Sequence, residues 1–463
     1  MCKQVLEHLT ADQPAAIDRL KALLAIPSVS ADPTYSGDVA AAGQWLVDQL
    51  SAMGLDAQLV PTAGHPIVFA RSTAATAPPD APHLLYYAHY DVQPPDPLDK
   101  WDSPPFEPTI RDGAIYARGA SDDKGQVCCI LEALRAWLVT EKQLPCQVIV
   151  LFEGEEESAG QSLPVFIEQR REQLAADVVV VSDTAMWPGP DGPIPAIKYG
   201  LRGIAYFDVK LYGPNRDVHS GSYGGAIANP ATMLARVLGR LFDDDNHITI
   251  PGFYDDVVPV TDQEKRRWTQ LPFDERHALK SIGVAEPFGE RGYSTLQRLW
   301  ARPSCDVNGL YGGYQGEGGK TIIPSFAGAK LSFRLVANQD PRKIGAALES
   351  WLHSQDVGGC RWQVQHLGQA PPVLLTTDSP FVTAAKRAIE RASGRPPVMI
   401  REAASIPVVA DFKSILGLDT LLIGFGLTDD CIHSPNEKFN LDQFTLGCRT
   451  HAILLAELAA ARR

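Results

Sequence analysis

Three short runs of this 463-residue chain are wholly apolar and lead within two residues to an acid or an imidazole. Leu84-Leu85-Tyr86-Tyr87-Ala88 runs into His89, Val148-Ile149-Val150-Leu151-Phe152 into Glu153, and Val178–Val181 into Ser182 and Asp183. The spacing predicts strands over 83–88, 147–152 and 178–181. Helical patterns precede the first run, around 16–25 and 39–53, and another lies between the first two, around 125–138. Strands alternating with helices imply an α/β fold, a mainly parallel sheet with helices on both faces. Such sheets bind ligands outside the carboxyl ends of their strands, where these acids and the histidine fall.

From about Tyr199 the pattern changes. A strand over 204–211 and a helix over 229–241 are followed by a polar insertion, about 243–303, with helical pieces near 262–271 and 274–282. Strands near 305–310 and 328–336, a helix near 343–353 and a strand near 362–366 complete the order β-α-β-β-α-β, a ferredoxin-like unit. After Gly368 the α/β character returns: a helix over 380–392, strands over 398–401 and 420–424, and a closing helix over 441–461. The simplest organisation is a discontinuous domain, 1–198 plus 369–463, interrupted by a smaller one, 199–368. The stretch 73–82, rich in Ala, Thr and Pro, reads as a surface loop.

Composition narrows the partners. Lys and Arg total 42 against 55 Asp and Glu, a net charge of −13. That excess argues against nucleic acid or an anionic membrane as the main partner. The N-terminus has no apolar segment of a secretory signal, and no apolar run reaches the ~18 residues of a membrane span. The eight cysteines are scattered without a CxxC pair and read as reduced, mostly buried thiols, so a cytoplasmic location is expected.

Each polar candidate has an ordinary structural explanation. His89 could be a hydrogen-bonded strand-end histidine, the run Glu153-Gly154-Glu155-Glu156-Glu157 a solvated acidic face, and Asp122 and Asp123 helix caps. Asp91, two residues beyond His89, could accept the second ring N–H of a metal-bound imidazole. Taken together, His89, His433, Asp183, the Asp122-Asp123 pair and the glutamate run offer a mixture of two histidines, two aspartates and one glutamate suited to a pair of divalent cations.

At this point a family resemblance becomes specific. HYDVQP (89–94), YARGASDDKG (116–125), EGEEESAG (153–160), VSDTAMW (181–187), DVHSGSYGG (217–225), REAASIP (401–407) and IHSPNEKF (432–439) resemble the carnosinase-type dinuclear metallodipeptidases, in order and over nearly the whole chain. The resemblance implies a phosphorylase/hydrolase-like catalytic domain with a lid and dimerisation domain, and two divalent metals per subunit. Zinc is preferred; manganese and cobalt suit the same ligands. It implies that Asp122 bridges the metals, that His89 and Asp183 hold one and Glu157 and His433 the other, and that Asp91 supports His89. Glu156 is implied as the general base, activating a water shared by the metals. His219 is similar to a lid histidine that reaches the partner subunit's site in a homodimer. Arg334 resembles the group that grips the substrate's C-terminal carboxylate, and Ser405, Thr321 and His366 match further substrate contacts. A cis peptide at Asp122–Asp123 is also implied.

The three consecutive glutamates permit a one-residue slip, with Glu155 as base and Glu156 as ligand; the position of Glu153-Gly154 favours Glu156 and Glu157. Tyr90 stands where many relatives carry a smaller or aliphatic residue. The expected activity is hydrolysis of dipeptides or short peptides with a free C-terminus. The alternative is an N-acyl amino acid deacylase of the acetylornithine or succinyl-diaminopimelate type. A metal-binding scaffold without catalysis is disfavoured, because Glu156 is not needed to hold metal.

Overall fold

A computed structural model describes residues 2–158 and 160–461 of the chain. The chain divides into two units. One comprises the chain to Tyr199, Leu375–Ile400 and the chain from Asp411; the other comprises Gly200–Leu374 and Arg401–Ala410. The sequence boundaries of 198/199 and 368/369 differ in two respects. The return to the first unit comes at Leu375, and Arg401–Ala410 groups with the second. Buried Arg401 bonds Glu264 there, and the Glu402 and Arg202 amides donate to the carbonyls of Gly200 and Ala404.

The first unit carries an eight-stranded sheet. Its spatial order is Asp56–Val60, Ile67–Arg71, Gln147–Glu153, His83–His89, Val178–Val181, Thr420–Ile423, Ala196–Lys198, Val398–Ile400. The central strands His83–His89, Gln147–Glu153, Val178–Val181 and Thr420–Ile423 run parallel. The Asp56–Val60 and Ile67–Arg71 pair joins antiparallel at one edge, and Thr420–Ile423 pairs antiparallel with Ala196–Lys198. Val178–Val181 is buried at all four positions, as a strand covered on both faces requires. Helix Lys124–Thr140 is apolar nearly all round and buried through most of its length, because it packs against the Lys3–Ala11, Gln13–Leu24 and Leu441–Ala461 helices. Helix Pro380–Ser393 starts with Ser379 accepting from the Val382 amide and Pro380 in its first turn, and stops at Gly394 with φ 74°.

A small three-stranded sheet positions much of the site. Thr109–Arg111 and Ala114–Tyr116 form a hairpin around Asp112-Gly113, both at positive φ, and Lys438–Asn440 pairs with Ala114–Tyr116. That pairing carries the loop before residue 438 to the loop that follows Tyr116.

In the second unit, Gly203–Tyr212, Ser304–Gly312, Phe326–Leu335 and Arg361–Ala370 form an antiparallel sheet with Gly203–Tyr212 and Phe326–Leu335 at its centre. One face packs on helices Pro230–Leu238 and Pro341–Ser354 through Phe207, Val209, Leu331, Phe333 and Leu348. The order of elements is the expected β-α-β-β-α-β. The insertion contributes helices Asp262–Thr269 and Glu275–Ser281 and a further one, Thr295–Ala301, that the periodicity did not reveal. Thr261 with Glu264, and Ser294 with Gln297, form capping boxes that start two of these short helices.

Candidate metal centre

The carboxyl ends of the central strands and the start of helix Lys124–Thr140 converge on one cluster. His89 Nε2 lies 3.0 Å from Asp122 Oδ1 and 4.0 Å from Asp183 Oδ2. His433 Nε2 lies 3.0 Å from Asp122 Oδ2 and 3.2 Å from Glu157 Oε1. Asp122 thus directs one oxygen to each histidine, and the five residues form two triads that share it, each with one imidazole nitrogen and two carboxylate oxygens. Glu157 Oε1 is buried, with His433 Nε2 as its polar neighbour. Three carboxylates gathered round two imidazoles repel one another, and nitrogen–oxygen donors of this kind suit two divalent cations.

The charges respond accordingly. Burial works against a charged His89, but hydrogen bonds to Asp122 and Asp91 outweigh it and hold its pKa well above the ordinary value. Hydrogen bonds to Asp122 and Glu157 lift His433 to about 10. Burial, with His89 opposing it and Glu157 and Asp122 reinforcing it, raises Glu156 to about 7. Burial also raises Asp183 well above the usual carboxylate range.

Asp91 holds more than His89. Its side chain lies 3.4 Å from His89 Nδ1, its Oδ1 accepts from the Glu156 amide at 3.2 Å, and its Oδ2 accepts from the Glu157 amide at 3.0 Å and the Ser30 hydroxyl at 2.6 Å. One buried carboxylate therefore orients a histidine of one triad and the backbone of the Glu156–Ser158 turn that feeds the other. Glu155 points elsewhere: it accepts from the His65 and Ser162 amides. Glu153 accepts from the Tyr87 hydroxyl at 2.6 Å.

The helix-cap explanation of the Asp pair does not hold. Asp123 occupies the cap position without a side-chain cap bond, and its Oδ2 accepts from the His89 amide. The Asp122–Asp123 peptide is cis. Tyr90 is fully buried over Gly43 and Gly154, where a Cβ would lie 2.9 and 2.6 Å from its hydroxyl oxygen, and it bonds the Pro66 carbonyl. Its size is matched by two glycines.

Two supporting acids escaped the sequence reading. Glu437, 1% exposed, accepts from Arg118 Nη1 at 2.7 Å and from the amides of Gly119, Ser121 and Asp122 at 2.9, 3.0 and 3.0 Å. It fixes the loop that presents Asp122. Asp430 accepts from the Ser121 hydroxyl at 2.7 Å and the Leu427 amide at 2.7 Å, and anchors the loop of His433. That loop takes positive φ at Cys431, His433 and Asn436, a conformation that needs such anchoring. The only signal for Glu437 was its place inside IHSPNEKF.

The remaining candidates, His219, Thr321, Arg334, His366 and Ser405, belong to the second unit, not to the unit of the cluster. His219 and Thr321 are neighbours: the Ser220 amide donates to the Thr321 carbonyl, and His219 Nδ1 accepts from the Gly221 amide. Arg334 lies on a central strand, opposite Ile204 and Ser304. His366 is engaged by Glu349 at 3.0 Å, and Ser405 is half-buried in the Arg401–Ala410 segment.

The model of peptidase family M20/M25/M40 matches residues 85–457. The chain belongs to that family. It is 32% identical over 460 residues to the Cys-Gly metallodipeptidase of Candida albicans, covering 95% of this chain and 93% of the relative. Human carnosine dipeptidase 1 superposes with a TM-score of 0.82 at 30% identity, over 99% of this chain and 98% of the other. The M20 family metallo-carboxypeptidase Sso-CP2 of Sulfolobus solfataricus gives 0.83 at 32% identity, over 96% and 99%. The expected family, the α/β architecture and the enzyme class are thereby borne out. M20 membership also implies divalent metal ions, and the two triads are candidate clusters for them. No helix among the described residues is long and apolar enough to cross a membrane.

Proposed function

We propose that this enzyme hydrolyses the peptide bond of dipeptides or short peptides with a free C-terminal carboxylate. The observation that carries the reading is the pair of triads sharing Asp122 with Glu156 beside them, held by the Asp91 carboxylate. His89, Asp122 and Asp183 would hold one cation, and Asp122, Glu157 and His433 the other. Zinc is the ion we favour, with manganese or cobalt compatible with the same donors. When bound, the ions polarise the scissile carbonyl and acidify water.

The chain's own groups do the rest. Glu156 takes the proton of the attacking water and returns it to the leaving amine. Asp91 keeps His89 oriented and the Glu156 backbone in place. Arg334 receives the substrate's carboxylate as a charged, bidentate donor. Ser405, Thr321 and His366 line the same substrate. His219 donates to the developing oxyanion from the opposite subunit of a homodimer formed through the second unit, which acts as a lid, while the first unit is catalytic. The cellular location that fits a reduced-thiol chain is the cytoplasm.

The test is a panel of dipeptides and N-acetyl amino acids, run on protein reconstituted separately with Zn²⁺, Mn²⁺ and Co²⁺, for wild type and Glu156→Gln. Dipeptides should turn over, and Glu156→Gln should lose about 10²–10⁴ in kcat with its metal content retained. Turnover confined to N-acetyl amino acids would move the enzyme to the deacylase reading. Loss of metal from Glu156→Gln but not from Glu157→Gln would shift the register by one.

A further inference from the structure

The second unit contains a cavity of about 500 Å³ between its sheet and the insertion. Four arginines, Arg202, Arg298, Arg302 and Arg334, and two acids, Glu290 and Asp306, line it. This excess of positive charge occurs in a chain whose net charge is −13. Arg302 and Glu290 cancel in a two-pronged pair at 2.7 and 2.6 Å. Among the described residues Arg202 has no such partner. It is 6% exposed, its Nη2 donates to Ser304 Oγ at 2.6 Å, and its buried Nε is without an acceptor. Burial and then the charge of Arg334 disfavour its protonated form, and Asp306 compensates only in part. A buried guanidinium with a free donor beside a second guanidinium is costly unless an anion completes it. Phe242 and Ile248 add apolar walls, and the volume exceeds what one carboxylate fills.

We propose that this cavity takes a ligand with two carboxylates on a short aliphatic spacer, and that Arg202 is the residue that selects the second one. The inference rests on the reading of Arg334 as the group that receives the C-terminal carboxylate. The side-chain carboxylate of the same residue then falls to Arg202, so the favoured substrates end in Asp or Glu. The acid supplies the acceptor that Arg202 Nε lacks, and a neutral amide of equal size leaves the buried charge uncompensated.

The holoenzyme tests this with Ala-Glu and Ala-Gln, which differ only in that charge. Wild type should favour Ala-Glu in kcat/KM by about tenfold to a hundredfold, Arg202→Gln should bring the ratio near one, and Arg202→Lys should keep part of it. A wild-type ratio near one, or a ratio unchanged in Arg202→Gln, overturns the proposal while leaving peptide hydrolysis intact. Calorimetric binding of glutarate against butyrate gives a readout independent of turnover. Glutarate should bind wild type at least tenfold more tightly, with the advantage reduced in Arg202→Lys. Equal binding of the two would refute the site. If no dipeptide is hydrolysed, the functional reading fails, and the glutarate result still decides whether the cavity binds a dianion.

Discussion

Replacing Glu437 by Gln removes no volume and no contact with the proposed metals, so its effect isolates what the carboxylate does for the loop of Asp122. In the wild type both oxygens are saturated: Oε2 by Arg118 and the Gly119 amide, Oε1 by the Ser121 and Asp122 amides. A glutamine keeps one acceptor. Its NH₂ must face one of the two donor pairs, leaving two N–H groups opposed by N–H, at about 1–3 kcal/mol each. Arg118, 1% exposed, also loses its only ion-pair partner among the described residues, and breaking a buried pair costs about 3–5 kcal/mol. These costs overlap, because the glutamine turns its oxygen to whichever pair is worse to abandon. A net loss of about 3–5 kcal/mol is expected. Urea unfolding of metal-stripped protein measures it; near 2 °C per kcal/mol, the thermal midpoint should fall by about 6–10 °C. With the Asp122 loop loosened, calorimetric metal affinity should fall about 10–100-fold, as for other outer-shell changes. Stability and metal affinity both within error of wild type would show that Glu437 does not hold the loop.

Asp122→Ala should abolish turnover and binding of the second metal equivalent, read by metal analysis after dialysis; two retained equivalents would contradict a shared ligand. His451 is buried against Tyr86 and Phe425, and burial lowers its pKa from 6.5 to about 3. Its neutral form is the folded one, so its contribution is complete above pH 6.5 and is lost as pH falls towards 3. By pH 5 this amounts to about 2 kcal/mol. Denaturant midpoints at pH 7 and pH 5 should therefore fall more in wild type than in His451→Gln; equal falls would refute the assignment. Mixing His219→Ala with Glu156→Gln should restore up to half of wild-type activity per mixed dimer if His219 acts across a dimer. No recovery despite demonstrated subunit exchange would confine His219 to its own subunit.

The central strands were legible because burial on both faces leaves an unbroken apolar run, and Val178–Val181 is the extreme case. The closing helix and the β-α-β-β-α-β order were legible for the same reason, a periodicity strong enough to outweigh local noise. The Asp56–Val60 strand was not: it is partly exposed along its length, and it exists because Ile67–Arg71 folds back beside it. Helix Lys3–Ala11 shows only Val5 fully buried, too little for a stripe. Of the candidate ligands, His89 and Asp183 could be named because each sits where a strand ends, and Asp122, Glu157 and His433 because their motifs carry the family resemblance. Glu437 and Asp430 could not, since Glu437 works on backbone amides, and Asp430 on the Ser121 hydroxyl, hundreds of residues away, contacts that leave no local pattern. Asp91 was assigned to His89 alone; its hold on the Glu156 and Glu157 amides depends on the strand pairing that sets residues 89 and 153 side by side.

The order in which the ribosome delivers these groups has a consequence of its own. His89, Asp122, Glu157 and Asp183 emerge early, but His433 and Glu437 follow only after the whole second unit has been made. A nascent chain holds the residues of one triad and two of the three of the other, with the Asp122 loop still lacking the carboxylate that pins it. Complete metal loading is therefore reserved for finished molecules, and a chain truncated before residue 433 is excluded from it by the same arrangement.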